Sequence, residues 1–490
     1  MEWTKEKRYR KLNEISQESY LNLVEQVKSG LWRQSYHIQP NTGLLNDPNG
    51  LAYYEGWYHL FYQWFPLGPV HGIKYWYHLR SKDLVNWEDL GIGLAPDHMY
   101  DSHGVYSGSG FTHGKDLYLF FTGNHRDECW KRYSTQCLAK MDKNGIIVKN
   151  EAPIIEKPPD GITEHFRDPK VFQEKHLFYM IVGAQKVSKE GTALIYQSKD
   201  LEHWSYQGEL ILPWKSSAYM WECPDYFQLE EYGVLLLCPQ GIETEDPLQS
   251  NIYESGYLIS DPMDLDGLTF GGDTFHKLDH GFDFYAPQTF KAPNDRRILI
   301  GWLGVPEVEY PTDSYGWAHC MTIPRELTVT DGKVMQNPVR EMELLRKDSV
   351  VRRLTIENQT VRDPKLSGTC YEMLIEIQSL NAESFEMQIR KGEKEKTILI
   401  YNKKERCFCI NRRDSGKQFA TEYGFERRAY LSKELAQIRI FSDESSLEVF
   451  LNHGEICFSL RVFPEDRSIE TEITVREGMV DATIEKWNLA

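Results

Sequence analysis

One plan recurs five times in the first two-thirds of this 490-residue chain, and that recurrence constrains the fold more than any other feature. Each copy has a polar or proline-containing start, a short strand, a turn and then a strongly apolar strand. The copies read NDPNGLAYYEGWYHLFYQ from Asn46, YSGSGFTHGKDLYLFFTG from Tyr106, FRDPKVFQEKHLFYMIVG from Phe166, WECPDYFQLEEYGVLLLCP from Trp221 and FYAPQTFKAPNDRRILIGW from Phe284. A second echo, Ser81-Lys82-Asp83-Leu84 with Trp87 against Ser198-Lys199-Asp200-Leu201 with Trp204, spans two such periods. A unit of about 60 residues with three or four short strands is a propeller blade, and five blades close a ring. Radial repetition brings equivalent positions to the axis, where the sequence sets Asp47, Ser107, Asp168, Glu222 and Tyr285 at nearly the same place in successive repeats. Three carboxylates crowded together repel, so their convergence reads as chemistry.

Past about residue 340 the pattern changes to short segments such as YEMLIEIQSL, TILIYNKK, AQIRIFSD and SLEVFLNHG. Their alternation, broken every 8–12 residues by Gly, Asn, Asp and Ser, reads as an antiparallel sandwich. The predicted chain is therefore all-β, a five-bladed β-propeller followed by a C-terminal antiparallel β-sandwich. The expected divisions are a helical segment over 1–30, the propeller over 31–338, a linker over 339–349 and the sandwich over 350–490. The spacing of Tyr20, Leu21, Leu23, Val24 and Val27 predicts an amphipathic helix lying on the main body.

A net charge of −17 without a basic cluster excludes nucleic acid as an expected partner. The charged N-terminus lacks the apolar run of a signal peptide or anchor, and no stretch is long enough to span a bilayer. Nine cysteines with no C-x-x-C pair argue against a disulfide framework and a zinc site, and fit a reducing cytoplasm. No metal or organic cofactor is expected, since no H-E-x-x-H, P-loop or dinucleotide fingerprint stands in context. Monomer and homodimer both remain open.

Glycosidic cleavage uses two carboxyl groups, one to attack or activate water and one to protonate the leaving oxygen. Taken singly, Asn46-Asp47-Pro48-Asn49-Gly50 is also a good turn and Arg167-Asp168 a common surface pair. Trp221-Glu222-Cys223-Pro224 is more specific, because an acid between Trp and Cys at a strand start suggests a sheltered carboxyl. Their shared blade position makes the joint reading stronger than any part.

YHIQPNTGLLNDPNG, YSGSG, FRDP, WECPD, DFYAPQ and ESSLEVFLNHGE resemble, in order, the signature blocks of glycoside hydrolase family 32. That family contains invertases, fructanases and sucrose-6-phosphate hydrolases, and the N-terminal blocks look most like its cytoplasmic bacterial sucrose-6-phosphate branch. The resemblance implies retaining hydrolysis of a β-fructofuranosyl bond, with a small-molecule sugar, sucrose 6-phosphate or sucrose, as partner. Asp47 would be the nucleophile, Glu222 the acid/base and Asp168 an ionised stabiliser of the transition state. Proton sharing among three carboxyls is expected to favour a protonated Glu222. Asn46, Gln63, Ser107 and Arg167 would bond the fructosyl unit, and Tyr285 and Trp302 would shape the wall.

Leu44, Leu45, Tyr106 and His71 stand where many relatives carry other residues, so they too are expected at the substrate, while Trp76 fits either pocket or core. For a phosphate, His71, Lys74, His98, His103 and Arg126 are the basic residues of the first two blades, each otherwise a solvated surface residue. An exo-acting fructanase, a fructosyl-transferring variant and a non-catalytic sugar-binding propeller are the rival readings.

Overall fold

A computed structural model describes residues 2–243 and 250–489. Five separate sheets of four or five strands are followed by one ten-stranded sheet folded on itself. The innermost strand of each of the five carries one repeat start: Gly43–Tyr54, Val105–His113, Ile162–Glu174, Met220–Leu229 and Tyr285–Lys291. The apolar second half of each repeat pairs antiparallel beside it, as Trp57–Phe65 does in blade one, buried at every residue but its first. Such two-sided burial explains the nearly unbroken hydrophobic runs. Trp317 and Ala318, which follow the fifth blade's second strand, pair in parallel with Gly43 and Leu44, so the last blade locks onto the first. The expected five-bladed propeller is what the chain forms.

The Ser-Lys-Asp-Leu echo encodes the turn between third and fourth strands of blades one and three. Asp83 accepts the N–H groups of Val85 and Asn86, and Asp200 those of Glu202 and His203. The Trp87 and Trp204 indoles each donate a 3.0 Å bond to the carbonyls of Leu84 and Leu201, which adopt φ of 66° and 69°.

Every innermost strand also breaks register at its repeat start. The slips fall between Leu45 and Pro48, Tyr106 and Gly108, Arg167 and Lys170, Glu222 and Asp225, and Tyr285 and Gln288. Proline occupies four of these bulges (Pro48, Pro169, Pro224, Pro287), where its missing N–H leaves no ladder bond unmade. A bulge re-aims side chains, letting two successive residues face one side where a regular strand would alternate them. It also corrects the expected alignment. Asp47, Ser107 and Asp168 are equivalent to Cys223 and Ala286, whereas Glu222 and Tyr285 stand one residue earlier, level with Asn46, Tyr106 and Arg167.

Side chains tie the innermost strands around the axis. Asn49 Oδ1 accepts from Gly108 N at 2.9 Å, Ser109 Oγ donates to the Pro169 carbonyl at 2.8 Å, and Lys170 pairs with Asp225 at 3.0 Å. Asp225 in turn accepts from Thr289 N at 2.7 Å.

In the sandwich, two long strands, Tyr371–Lys391 and Glu470–Leu489, bend at bulges, and the first pairs successively with Gln437–Asp443 and Thr397–Asn402. The segment expected as linker is a 3-10 turn, Arg340–Leu345, and the first sandwich strand already begins at Arg346. Propeller and sandwich meet through buried ions: Arg325 bonds Asp279 and Glu448 at 3.0 and 2.6 Å, and His37 bonds Asp443 and Glu448 at 2.7 and 3.0 Å. Helix Gln17–Lys28, capped by Ser16, buries Val27, but Leu21 is 52% exposed, so the apolar stripe is narrower than its spacing suggests. Among the described residues no helix is long and apolar enough to cross a membrane.

Candidate active site

At one mouth of the propeller axis a cavity of about 400 Å³ is lined by Asp47, Asp168 and Glu222 together. The bulges put Asn46 with Asp47, Tyr106 with Ser107, and Arg167 with Asp168 into the same wall.

Asp47 accepts from the Ser107 hydroxyl on Oδ2 and from Asn46 Nδ2, at 3.0 Å, on Oδ1. Burial and the nearby Glu222 raise its pKa, while the Ser107 and Asn46 bonds pull it down. Asn46 Nδ2 also donates to Gln63 Oε1 at 2.7 Å, and Gln63 Nε2 donates to Ser107 at 2.5 Å. These four side chains form one closed relay holding the Asp47 carboxylate.

Glu222 receives three hydrogen bonds. Arg167 Nε and Nη2 reach Oε1 at 2.9 and 2.6 Å, and the Tyr285 hydroxyl reaches Oε2 at 2.6 Å. Arg167 therefore pairs with Glu222 directly. Asp168, at φ 67°, accepts from the Cys223 N–H at 2.9 Å. Burial, opposed by Arg167 but reinforced by Glu222 and Asp47, pushes its carboxyl up to about 7. Crowding thus acts visibly on Asp168, the group expected from the sequence to stay ionised.

Lys74, 4% exposed, donates to Asn46 Oδ1 at 2.7 Å and lies 3.2 Å from His71 Nδ1. Burial lowers its amine to about 7 and holds His71 well below the usual histidine range. A neutral His71 accepting on Nδ1 carries its hydrogen on Nε2, which has no partner among the described residues and is free to donate to a sugar hydroxyl. Trp302 lines the wall as expected.

Other expected contacts fall elsewhere. Leu44 and Leu45 are 2% and 0% exposed in the core, because on the strand side of the bulge their side chains face away from the cavity. Trp76 is a core residue whose indole holds the Tyr106 carbonyl at 3.1 Å. His98 bonds Asp97 outside the cavity, and His103 packs against Tyr9 and Trp130. Asp97, His98 and Asp101 cluster as metal ligands would, but the Lys149 ammonium already bonds both carboxylates. Sequence reasoning missed Arg8, Tyr9, Arg132, Gln240, Tyr253 and Glu307 in the lining. Arg8 and Tyr9 reach it because a short helix, Lys5–Arg8, capped by Thr4, docks on blade one, where Arg8 Nη1 donates to the His71 carbonyl at 2.7 Å.

Models of the N-terminal and C-terminal domains of glycosyl hydrolases family 32 match residues 37–338 and 341–489. The chain belongs to glycosyl hydrolase family 32. It is 44% identical to a Staphylococcus xylosus sucrose-6-phosphate hydrolase over 100% of this chain and 99% of that relative. Among solved structures, a Lactobacillus gasseri sucrose-6-phosphate hydrolase superposes with a TM-score of 0.92 at 35% identity, covering 100% of this chain and 99% of that one. A Bombyx mori family 32 beta-fructofuranosidase mutant in complex with sucrose gives 0.83 at 30% identity, over 98% and 99%. This family 32 member is thus a glycoside hydrolase of the beta-fructofuranosidase type, with its carboxylate cluster at the propeller axis.

Proposed function

We propose that the chain hydrolyses the fructosyl bond of sucrose 6-phosphate, and of sucrose less well, through a covalent intermediate on Asp47. The observation that carries this is the convergence of Asp47, Asp168 and Glu222 in one cavity, each with its own set of donors. The likeness to relatives named as sucrose-6-phosphate hydrolases supports the phosphorylated substrate.

Asp47, anchored by Ser107 and Asn46, attacks C2 of the fructosyl unit while the C2–O bond to the glucosyl unit breaks. Glu222 gives its proton to that oxygen, and the glucosyl product leaves. Water then attacks C2 as Glu222 takes its proton, and the C2–O bond to Asp47 breaks, returning the carboxylate. Arg167 and Tyr285 hold Glu222 in place through both halves. Asp168, once ionised, bonds fructose hydroxyls and offsets the positive charge that develops at C2. All the groups in this scheme come from the chain itself.

All nine cysteines are free thiols, most of them buried, which supports a cytoplasmic site of action. Arg8 and Tyr9, carried by the docked N-terminal helix, add to the cavity wall, which supports a short substrate over a fructan chain. The test compares kcat/KM for sucrose 6-phosphate, sucrose and inulin on the purified protein, with Asp47→Ala as control. The reading expects the order in which they are written and no turnover by the variant. Inulin turned over as fast as sucrose would replace it with an exo-fructanase, and binding without turnover with a sugar sensor.

A further inference from the structure

Lys74 and His71, foremost among the residues the sequence offered to a phosphate, bond each other beside Asn46, which itself holds Asp47. Lys74 Nζ gives two of its donors to Asn46 and His71, and His71 is held neutral by burial. Among the described residues a different pair of cations, held by no carboxylate, stands with one member in the cavity wall and the other beside it. Arg126 and Arg132 lie directly opposite each other at the end of the strand pair Asp116–Arg126 and Arg132–Met141. Like charges placed opposite across two strands repel, and a chain with 73 acidic against 56 basic residues has carboxylates to spare for relieving them. Among the described residues neither arginine has an ion-pair partner, and the Nε of each is buried without a hydrogen bond. Asp127, the next residue along, turns its carboxylate to Lys131 N and the Tyr133 hydroxyl instead.

Arg132 lines the cavity, and among the described residues its guanidinium has no hydrogen bond and lies 5.2 Å from the ring centre of Tyr106. Arg126 stands behind, donating one bond to the Trp130 carbonyl at 3.1 Å. Tyr9 packs edge-on against Trp130, with ring centres 5.0 Å apart, and its phenol interacts with both Tyr106 and Arg126. The Arg132 guanidinium and the phenols of Tyr9 and Tyr106 therefore line one side of the cavity, with Arg126, which the sequence also offered to a phosphate, directly across the hairpin from Arg132. Glu307, bonded by the Tyr253 hydroxyl at 3.1 Å, lies on the fifth-blade side.

We propose that Arg132 and Arg126, with the phenols of Tyr9 and Tyr106, form an anion subsite that takes the phosphoryl group of the leaving hexose. The forked guanidinium matches phosphate oxygens in pairs, and a dianion would bring together two cations the fold leaves facing each other. The position follows from the chemistry deeper in the cavity. Fructose must sit on Asp47, so the hexose that leaves with Glu222's proton points toward the mouth. The inference rests on the reading above that this hexose carries the phosphate.

The first readout is the ratio of kcat/KM for sucrose 6-phosphate to that for sucrose, in the wild type, Arg132→Gln, Arg132→Lys and Arg126→Gln. The ratio is expected to fall about tenfold or more in both Gln variants, with partial recovery in Arg132→Lys. The second uses sucrose hydrolysis by the same proteins, inhibited by glucose 6-phosphate, glucose or inorganic phosphate. Glucose 6-phosphate is expected to compete at least tenfold better than glucose in the wild type and to lose that advantage in Arg132→Gln. Inorganic phosphate competing as well as glucose 6-phosphate would make the site one for free phosphate and overturn its assignment to the hexose. An unchanged ratio with an unchanged inhibition pattern in both Gln variants would overturn the subsite. A wild type that does not prefer sucrose 6-phosphate, yet shows an Arg132-dependent advantage for glucose 6-phosphate, would keep the subsite and overturn the substrate reading alone.

Discussion

Arg167 places two nitrogens on a single oxygen of Glu222, Nε at 2.9 Å and Nη2 at 2.6 Å, while its Nη1 lies 3.0 Å from His165 Nδ1. Burial holds His165 down to about 4, so at neutral pH it accepts from Arg167 and helps fix the fork. Lysine keeps the charge but not this geometry. Arg167→Lys is expected to lower kcat about 100-fold, the range typical of a lost charge-assisted bond to a reacting group, with a smaller effect on KM. A change confined to KM would mean that Arg167 only binds sugar.

Crowding of the carboxylates has a consequence for pH. Asp168 is pushed up to about 7 and Asp47 is raised, so the protonated cluster persists above the ordinary carboxylate range. The form with Asp47 ionised gains population only as pH rises, and the acid limb of kcat/KM is expected above the ordinary carboxylate range, with Asp168 losing its proton at about 7. Ser107→Ala removes a bond that favours the ionised Asp47, so that limb should move further up. A limb that stays put, or moves down, would separate Asp47 from the observed ionisation.

Lys74 acts through Asn46, whose amide it orients toward Asp47 and Gln63. Lys74→Met is expected to depress kcat/KM about tenfold or more, and equally for sucrose and sucrose 6-phosphate. A selective loss on the phosphorylated sugar would return Lys74 to the role its sequence position suggested.

Leu45 is fully buried and its carbonyl lies 3.1 Å from His319 Nδ1. Leu45→Ala should cost about 2–5 kcal/mol of stability, the usual penalty for such a cavity. Denaturant unfolding measures it, and a loss of activity without a loss of stability would place Leu45 back at the substrate.

His37 ties the two domains. Buried between Asp443 and Glu448, whose hydrogen bonds outweigh the effect of burial, it is raised to about 9, against about 6.5 in an unfolded chain. Its contribution is complete below about pH 6.5 and is lost as pH rises through 9. The melting temperature is expected to fall over that window in the wild type and to fall less in His37→Gln. Equal slopes would remove His37 as the cause.

The periodicity of the sequence carried the propeller, because a blade buried on both faces needs the apolar runs that repeat there. The prolines after Asp47, Asp168, Cys223 and Ala286 marked the bulges as well, and reading them as bulges would have placed Glu222 level with Arg167 instead of Asp168. Leu44 and Leu45 were misread because a strand position alone does not say which face a bulge turns inward. Arg8 and Tyr9 were invisible: nothing in a short charged helix near the N-terminus signals that it will dock beside His71. The opposed Arg126 and Arg132 were available only once the hairpin register was known.

The proposed hydrolysis turns on a covalent bond between Asp47 and C2 of fructose. Glu222→Gln incubated with β-fructosyl fluoride, whose leaving group needs no proton, should accumulate that intermediate, since the variant cannot activate water. Mass spectrometry of the digested protein is expected to find one fructosyl adduct, on the peptide bearing Asp47. An adduct on Asp168, or fluoride release with no adduct at any carboxylate, would contradict the account.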